Sequence, residues 1–143
     1  DAFAFGEVTN DGIVSNPNTS GNNTTANAMQ TSKPPGSETW GGTGFSVSTI
    51  NFSDLGMSKI QIQSHSESVG TVIKIKLETV EGNVDGLTYE FDVVTTVANQ
   101  WETLTYDFSD APDLDYITFI VFYDFGNTGT GESYYFDEIK LVN

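Results

Sequence analysis

The chain has 143 residues, of which 37% are hydrophobic and 13% aromatic, enough for one domain with a core rich in Phe and Tyr. Twenty acidic residues stand against five lysines, with no arginine and a net charge of -15, which argues against nucleic acid and against anionic membrane surfaces. There is no cysteine, hence no disulfide, thiolate zinc site or cysteine nucleophile.

Residues 1–45 are dense in Asn, Thr, Ser, Gly and Pro, yet hold Val14, Met29 and Trp40 at intervals. They read as a long ordered loop with one or two short strands. From residue 45 onward the pattern is short alternating runs. In KIQIQSHS, Ile60, Ile62 and Ser64 share one face, and Gln61, Gln63 and His65 the other. In TVIKIKLETV, Ile73, Ile75 and Leu77 oppose Lys74, Lys76 and Glu78. VEGNVDGL is a turn, and LTYEFDVVTT aligns Tyr89, Phe91 and Val93. WETLTYDF aligns Leu104, Tyr106 and Phe108, and DYITFIVFYDF is apolar on both faces, as a central strand would be. FGNTGTGES is a Gly-rich loop, and SYYFDEIKLV closes the domain.

This pattern predicts an all-β antiparallel sandwich or barrel in one domain spanning 1–143. No apolar run approaches the ~20 residues of a membrane helix. With no initiator Met and no signal peptide, the sequence reads as a mature fragment or excised domain.

Several stretches occurring in order, VSNPNTSGNNTT, KPPGSETWGG, VANQWETLTYDFS and IVFYDFGNTGTGESYYFDEIKL, resemble carbohydrate-binding modules of the galactose-binding-like β-jelly-roll type. Such modules occur in secreted polysaccharide-degrading enzymes and surface glycan-binding proteins of marine Bacteroidetes. The resemblance implies a jelly-roll β-sandwich, a monomer, a secreted or cell-surface location, and a covalently linked catalytic or surface-anchored domain. It also implies that Asp137, in the last strand, ligates a structural Ca²⁺ with oxygens from the first strand and the following loop. Further ligands would come from Glu7, Asn16, Asn18, Asn22 or Thr24. Relatives usually open with a Phe-Glu strand, from which DAFAFGE departs. From the residues alone, Asp137 is either such a ligand or a solvated carboxylate on an edge strand.

Two readings stand open for glycan contact. Trp40, among glycines, is either an exposed stacking platform or a core-capping residue. Trp101 opens a strand and reads as packing. The polar faces of Gln61, Gln63, His65, Lys74, Lys76 and Glu78 form either a concave binding surface or an ordinary solvent face. Tyr123 beside the Gly-rich loop is a further candidate. That loop is either a hairpin turn or the rim of a site, and it lacks the lysine and helix of a phosphate cradle. No catalytic residues are expected. The function expected is non-catalytic binding of a polysaccharide, first a neutral β-glucan such as laminarin. The alternatives are alginate or another uronic-acid polymer, for which Lys33, Lys74 and Lys76 would supply local positive charge, and a spacer or protein-docking sandwich.

Overall fold

The computed structural model describes residues 1–143 and holds ten strands and one helical turn. The strands are β1 (Ala2–Phe5), β2 (Thr9–Ser15), β3 (Asn27–Lys33), β4 (Gly42–Ile50), β5 (Lys59–His65), β6 (Val72–Glu78), β7 (Thr88–Val94), β8 (Trp101–Asp107), β9 (Tyr116–Tyr123) and β10 (Glu132–Val142). The helical turn α1 (Phe52–Leu55) is capped by the Asn51 side chain, which accepts from the Asp54 N–H.

Two five-stranded sheets face each other. One, sheet A, has the order β1-β4-β9-β6-β7; the other, sheet B, has β2-β3-β10-β5-β8. Every paired neighbour is antiparallel. The all-β sandwich expected from the alternation is what forms. The N-terminal 45 residues are more regular than their composition suggests: β1, β2, β3 and the start of β4 lie there. Only residues 16–26 remain as the Asn/Thr-rich loop.

The predicted apolar faces meet in one core. Ile60, Ile62, Leu104, Tyr106, Phe108, Tyr134 and Phe136 come from sheet B and the segment following β8. Ile73, Ile75, Leu77, Phe119, Val121 and Tyr123 come from sheet A. Tyr106 is buried among them with its hydroxyl donating to the Ile73 carbonyl at 3.1 Å, so its polar end is satisfied. Burial pushes that hydroxyl's pKa well above its ordinary range.

β9 sits in the middle of sheet A, which accounts for its two apolar faces: one meets the core and the other lines a groove. The Gly-rich stretch after it is not a hairpin. It crosses from β9 in sheet A to β10 in sheet B. Likewise, residues 66–71 carry the chain from β5 in sheet B to β6 in sheet A.

Candidate functional site

The outer face of sheet A is built in two ranks by register alone. One rank runs Phe3, Gly44, Ile120, Lys76, Glu90 across the five strands. Beside it, Phe5 faces Gly42, and Phe122, Lys74 and Asp92 follow. At a strand spacing of about 4.8 Å, each rank reaches about 19 Å from edge to edge. The β1 half of the face is apolar and the β7 half is charged.

Glycine makes the apolar half possible. A Cβ on Gly44 would stand 2.5 Å from the tip of Phe3, and one on Gly42 would stand 2.9 Å from Phe122 and 3.2 Å from Phe5. Bare backbone at these positions lets the rings of β1 reach across β4 toward β9. Phe3 and Phe5 lie 6.2 Å apart at 27°, and Phe5 and Trp40 lie 6.3 Å apart at 15°. Three nearly parallel rings thus form a strip, with Trp40 at its end, 51% exposed. Phe122 meets Phe5 edge-on at 5.7 Å and Phe125 at 5.4 Å.

The polar half is held by ion pairs. Lys74 Nζ lies 3.0 Å from Glu90 and 3.1 Å from Asp92, and 4.4 Å above the Phe125 ring. Burial of Lys74 works to lower its pKa, but the hydrogen bonds to Glu90 and Asp92 outweigh it and hold the ammonium above its ordinary value. Lys76 pairs with Glu78 at 3.4 Å and bonds the Asn83 side chain, which the β6–β7 turn carries up beside it. Between the halves runs a groove of about 470 Å³ with Phe3, Phe5, Trp40 and Phe122 on one flank and Lys76, Glu78, Asn83 and Glu90 on the other.

The expected polar constellation is therefore split. Lys74 and Lys76 lie on sheet A, whereas Gln61, Gln63 and His65 lie on the outer face of sheet B, because residues 66–71 cross between sheets instead of making a hairpin. Gln61 and Gln63 donate to Thr105 and Thr103 of the neighbouring strand at 3.1 and 2.7 Å. Tyr123 is buried between the sheets, not presented to solvent. It stacks on Tyr134 at 4.5 Å and donates to the Tyr135 carbonyl at 2.9 Å. Lys33 is buried too and offers no surface charge. The groove residues that reading by alternation missed include Phe3, Phe5, Phe122, Asn83 and Glu90. The signal available was the spacing of Gly42 and Gly44, which leaves one strand face bare.

Sheet B carries the Asn/Thr-rich loop over its outer face. Trp101 is buried beneath it, with its indole N–H donating to Asn16 Oδ1 at 2.9 Å and to the Asn18 carbonyl at 2.7 Å. His65 lies edge-on to Trp101 at 5.5 Å and to Tyr135 at 5.6 Å, only 7% exposed. Burial holds the imidazole below its ordinary value of 6.5, partly offset by Glu67. The fold therefore favours the neutral ring. This contribution to stability is intact above pH 6.5 and is lost as pH falls toward the depressed folded value. The thermal midpoint is expected to fall between pH 7 and pH 5, and to fall less in His65→Gln, as scanning calorimetry at both pH values would read. An equal fall in the variant would assign the effect to other groups.

Asp137 is not on an edge: β10 is the central strand of sheet B. A register shift between Asp137 and Lys140, with Glu138 at a φ of 52°, marks a bulge at this point. The resemblance implies calcium here, and the local chemistry can be tested against it. Thr25 Oγ1 lies 2.6 Å from Asp137 Oδ2, 2.8 Å from Asn23 Oδ1 and 3.0 Å from the Asn27 carbonyl oxygen. One hydroxyl proton can serve only one of these three. The remaining contacts set oxygen against oxygen, a crowding that a hard cation relieves. Asn23 also donates to Asp137 Oδ2 at 2.9 Å. These oxygens are of the kind a calcium ion takes, and Asp137, Asn23, Thr25 and the Asn27 carbonyl are the groups that would hold one. No cluster of three His, Cys, Asp or Glu side chains exists, so a site here would lean on neutral oxygens.

None of the other expected ligands bonds to Asp137, whose side-chain partners are Asn23 and Thr25. Asn16 and Asn18 are turned to Trp101 and to their own loop, and Thr24 is exposed beside the site. Glu7 lies at the wrong end of β2: Thr9 there pairs with Ser32, whereas Ser15 pairs with Asn27 at the Asp137 end.

The whole chain superposes on known carbohydrate-binding modules. The family 11 module from Clostridium thermocellum in complex with a β-1,3-1,4-mixed-linked tetrasaccharide matches with a TM-score of 0.62 and 16% identity, over 100% of this chain and 88% of that one. The family 30 module of a cellulosomal cellulase from the same organism matches with 0.62 and 15%, over 99% and 91%. A family 29 module solved with mannohexaose matches with 0.61 and 16%, over 97% and 77%. At these identities the likeness is one of fold. No family model matches the chain, and no curated protein matches it.

Proposed function

We propose that the chain is a carbohydrate-binding module that holds a neutral β-glucan, laminarin first among them, in the groove on sheet A. The observation that carries this reading is the division of that groove into an aromatic flank and an ion-paired polar flank. A pyranose needs both: its axial C–H face is apolar, and its hydroxyls need donors and acceptors. Phe3, Phe5 and Trp40 offer the first. Lys76, Glu78, Asn83 and Glu90 offer the second. The fold shared with a module that binds a mixed-linked glucan tetrasaccharide supports the choice of ligand.

Charge argues for a neutral polymer. The two lysines of the polar flank are matched by Glu78, Glu90 and Asp92, and the whole chain carries -15. A uronic-acid polymer would meet repulsion on approach and find no free cation in the groove. The groove is open, so modest affinity is expected. The module would act by tethering a linked catalytic or surface-anchored domain, outside the cell, to its polymer, where local concentration does the rest. Calcium at Asp137 would be structural. No helix is long and apolar enough to cross a membrane.

Affinity electrophoresis tests the reading. Gels containing laminarin or mixed-linkage glucan are expected to retard the protein; alginate and carrageenan gels are not. No reducing sugar should be released from any polymer. Retardation by alginate alone would replace the neutral ligand with a uronic one. No retardation at all would favour a spacer or docking domain.

A further inference from the structure

Two loops deliver the outer aromatic residues of the groove. Residues 34–41 follow β3 and carry Trp40; residues 124–131 follow β9 and carry Phe125. The loops are knitted together through their backbones. Gly36 N–H donates to the Gly129 carbonyl at 3.0 Å, Gly129 N–H to Ser37 at 3.1 Å, and Gly126 N–H to Thr39 at 3.0 Å. Gly129 is pressed so close that a Cβ there would stand 2.0 Å from the Pro34 carbonyl and 2.1 Å from Ser37 Oγ.

Beneath this clasp lies Lys33, 2% exposed. It starts on β3 in sheet B, yet its ammonium crosses the sandwich and donates to the Tyr123 and Asp124 carbonyls of sheet A at 3.0 and 2.9 Å. Asp124 has a φ of 49°, and is the point where the chain swings out of β9 toward Phe125. Burial lowers the Lys33 pKa, with Asp124 opposing that shift. An apolar side chain of similar length would fill the space without the desolvation cost of an ammonium. What it could not do is hold two carbonyls at a left-handed bend.

We infer that Lys33 is a positioning residue for the glycan groove. It fixes the Tyr123–Asp124 bend, and through that bend the pose of Phe125 and, across the Gly126–Thr39 hydrogen bond, of Trp40. This rests on the groove being the glycan site.

The test is a double-mutant cycle with Lys33→Met and Phe125→Ala, read by calorimetric titration with soluble laminarin well below the unfolding midpoint. Each single variant is expected to bind about tenfold more weakly, and the double variant little worse than either. Lys33→Met should also shift the fluorescence of Trp40, and Lys33→Arg should restore part of the affinity. A merely structural lysine would lower the thermal midpoint but leave the folded protein's affinity unchanged. That result, or additive losses near a hundredfold, overturns the inference. Should Lys33→Met fail to fold, Lys33→Gln takes its place, since its neutral amide is shorter and cannot hold both the Tyr123 and Asp124 carbonyls; additivity with Phe125→Ala there overturns the inference equally. Wild-type binding by both Phe125→Ala and Trp40→Ala would overturn the groove reading and this inference together. Weakened binding by Phe125→Ala beside wild-type binding by Lys33→Met would overturn only the inference.

Discussion

Trp40→Ala is expected to weaken laminarin binding by about 30-fold while leaving the thermal midpoint within a few degrees of wild type. The side chain is 51% exposed and stacks on Phe5, so folding gains little from it. A bound sugar would bury the exposed half, and truncating an aromatic anchor of this kind costs about 2 kcal/mol of binding, or roughly 30-fold. Trp101→Ala should behave in the opposite way. Its ring is buried and its indole N–H holds Asn16 and Asn18, so its loss costs about 3–5 kcal/mol of stability and removes the support of the Asn/Thr-rich loop. Titration calorimetry and thermal melts on both variants check this. Wild-type affinity in Trp40→Ala would move the sugar away from the aromatic strip.

The same contrast marks what could be read from the sequence. Period-two alternation identified the core faces of β5, β6, β7 and β8 residue by residue, because a strand in a sandwich must bury every second side chain. It could not say which strands share a sheet. Lys74 and Lys76 look like companions of Gln61 and Gln63 until residues 66–71 carry the chain to the opposite sheet. Alternation also ranks an outward Phe as a core residue, which is why Phe3, Phe5 and Phe122 escaped notice. The glycines held the missing information. Gly42 and Gly44 share one strand face, and a bare face means that something large lies upon it. The first 45 residues read as a long ordered loop with one or two short strands, and they hold three strands and the start of a fourth. The Asn and Thr side chains of the loop that remains turn inward to Asp137, to Trp101 and to one another. Their order comes from side-chain hydrogen bonds that no hydrophobic pattern reports.

Calcium should raise the thermal midpoint of the wild-type protein, and Asp137→Asn should abolish that response. An ion that binds only the folded state adds RT ln(1 + [L]/Kd), about 4 kcal/mol at a thousandfold excess over Kd, which for a domain of this size is a shift of about 12 °C. Around Thr25 Oγ1 three oxygens compete for one hydroxyl hydrogen, so two of these contacts lack a proton of their own, and a cation would satisfy them. Asparagine at 137 keeps the shape but removes the one carboxylate among the proposed holders, and a site made only of neutral oxygens binds Ca²⁺ weakly. The variant should therefore fold, melt at the wild type's chelated midpoint, and ignore added calcium. Its laminarin affinity should be unchanged once it is folded, because Asp137 lies on the outer face of sheet B and the groove on the outer face of sheet A. A wild-type midpoint indifferent to both calcium and chelator would mean that the hydrogen bonds of Asn23 and Thr25 pin the loop alone. A calcium shift that survives in Asp137→Asn would place the ion elsewhere.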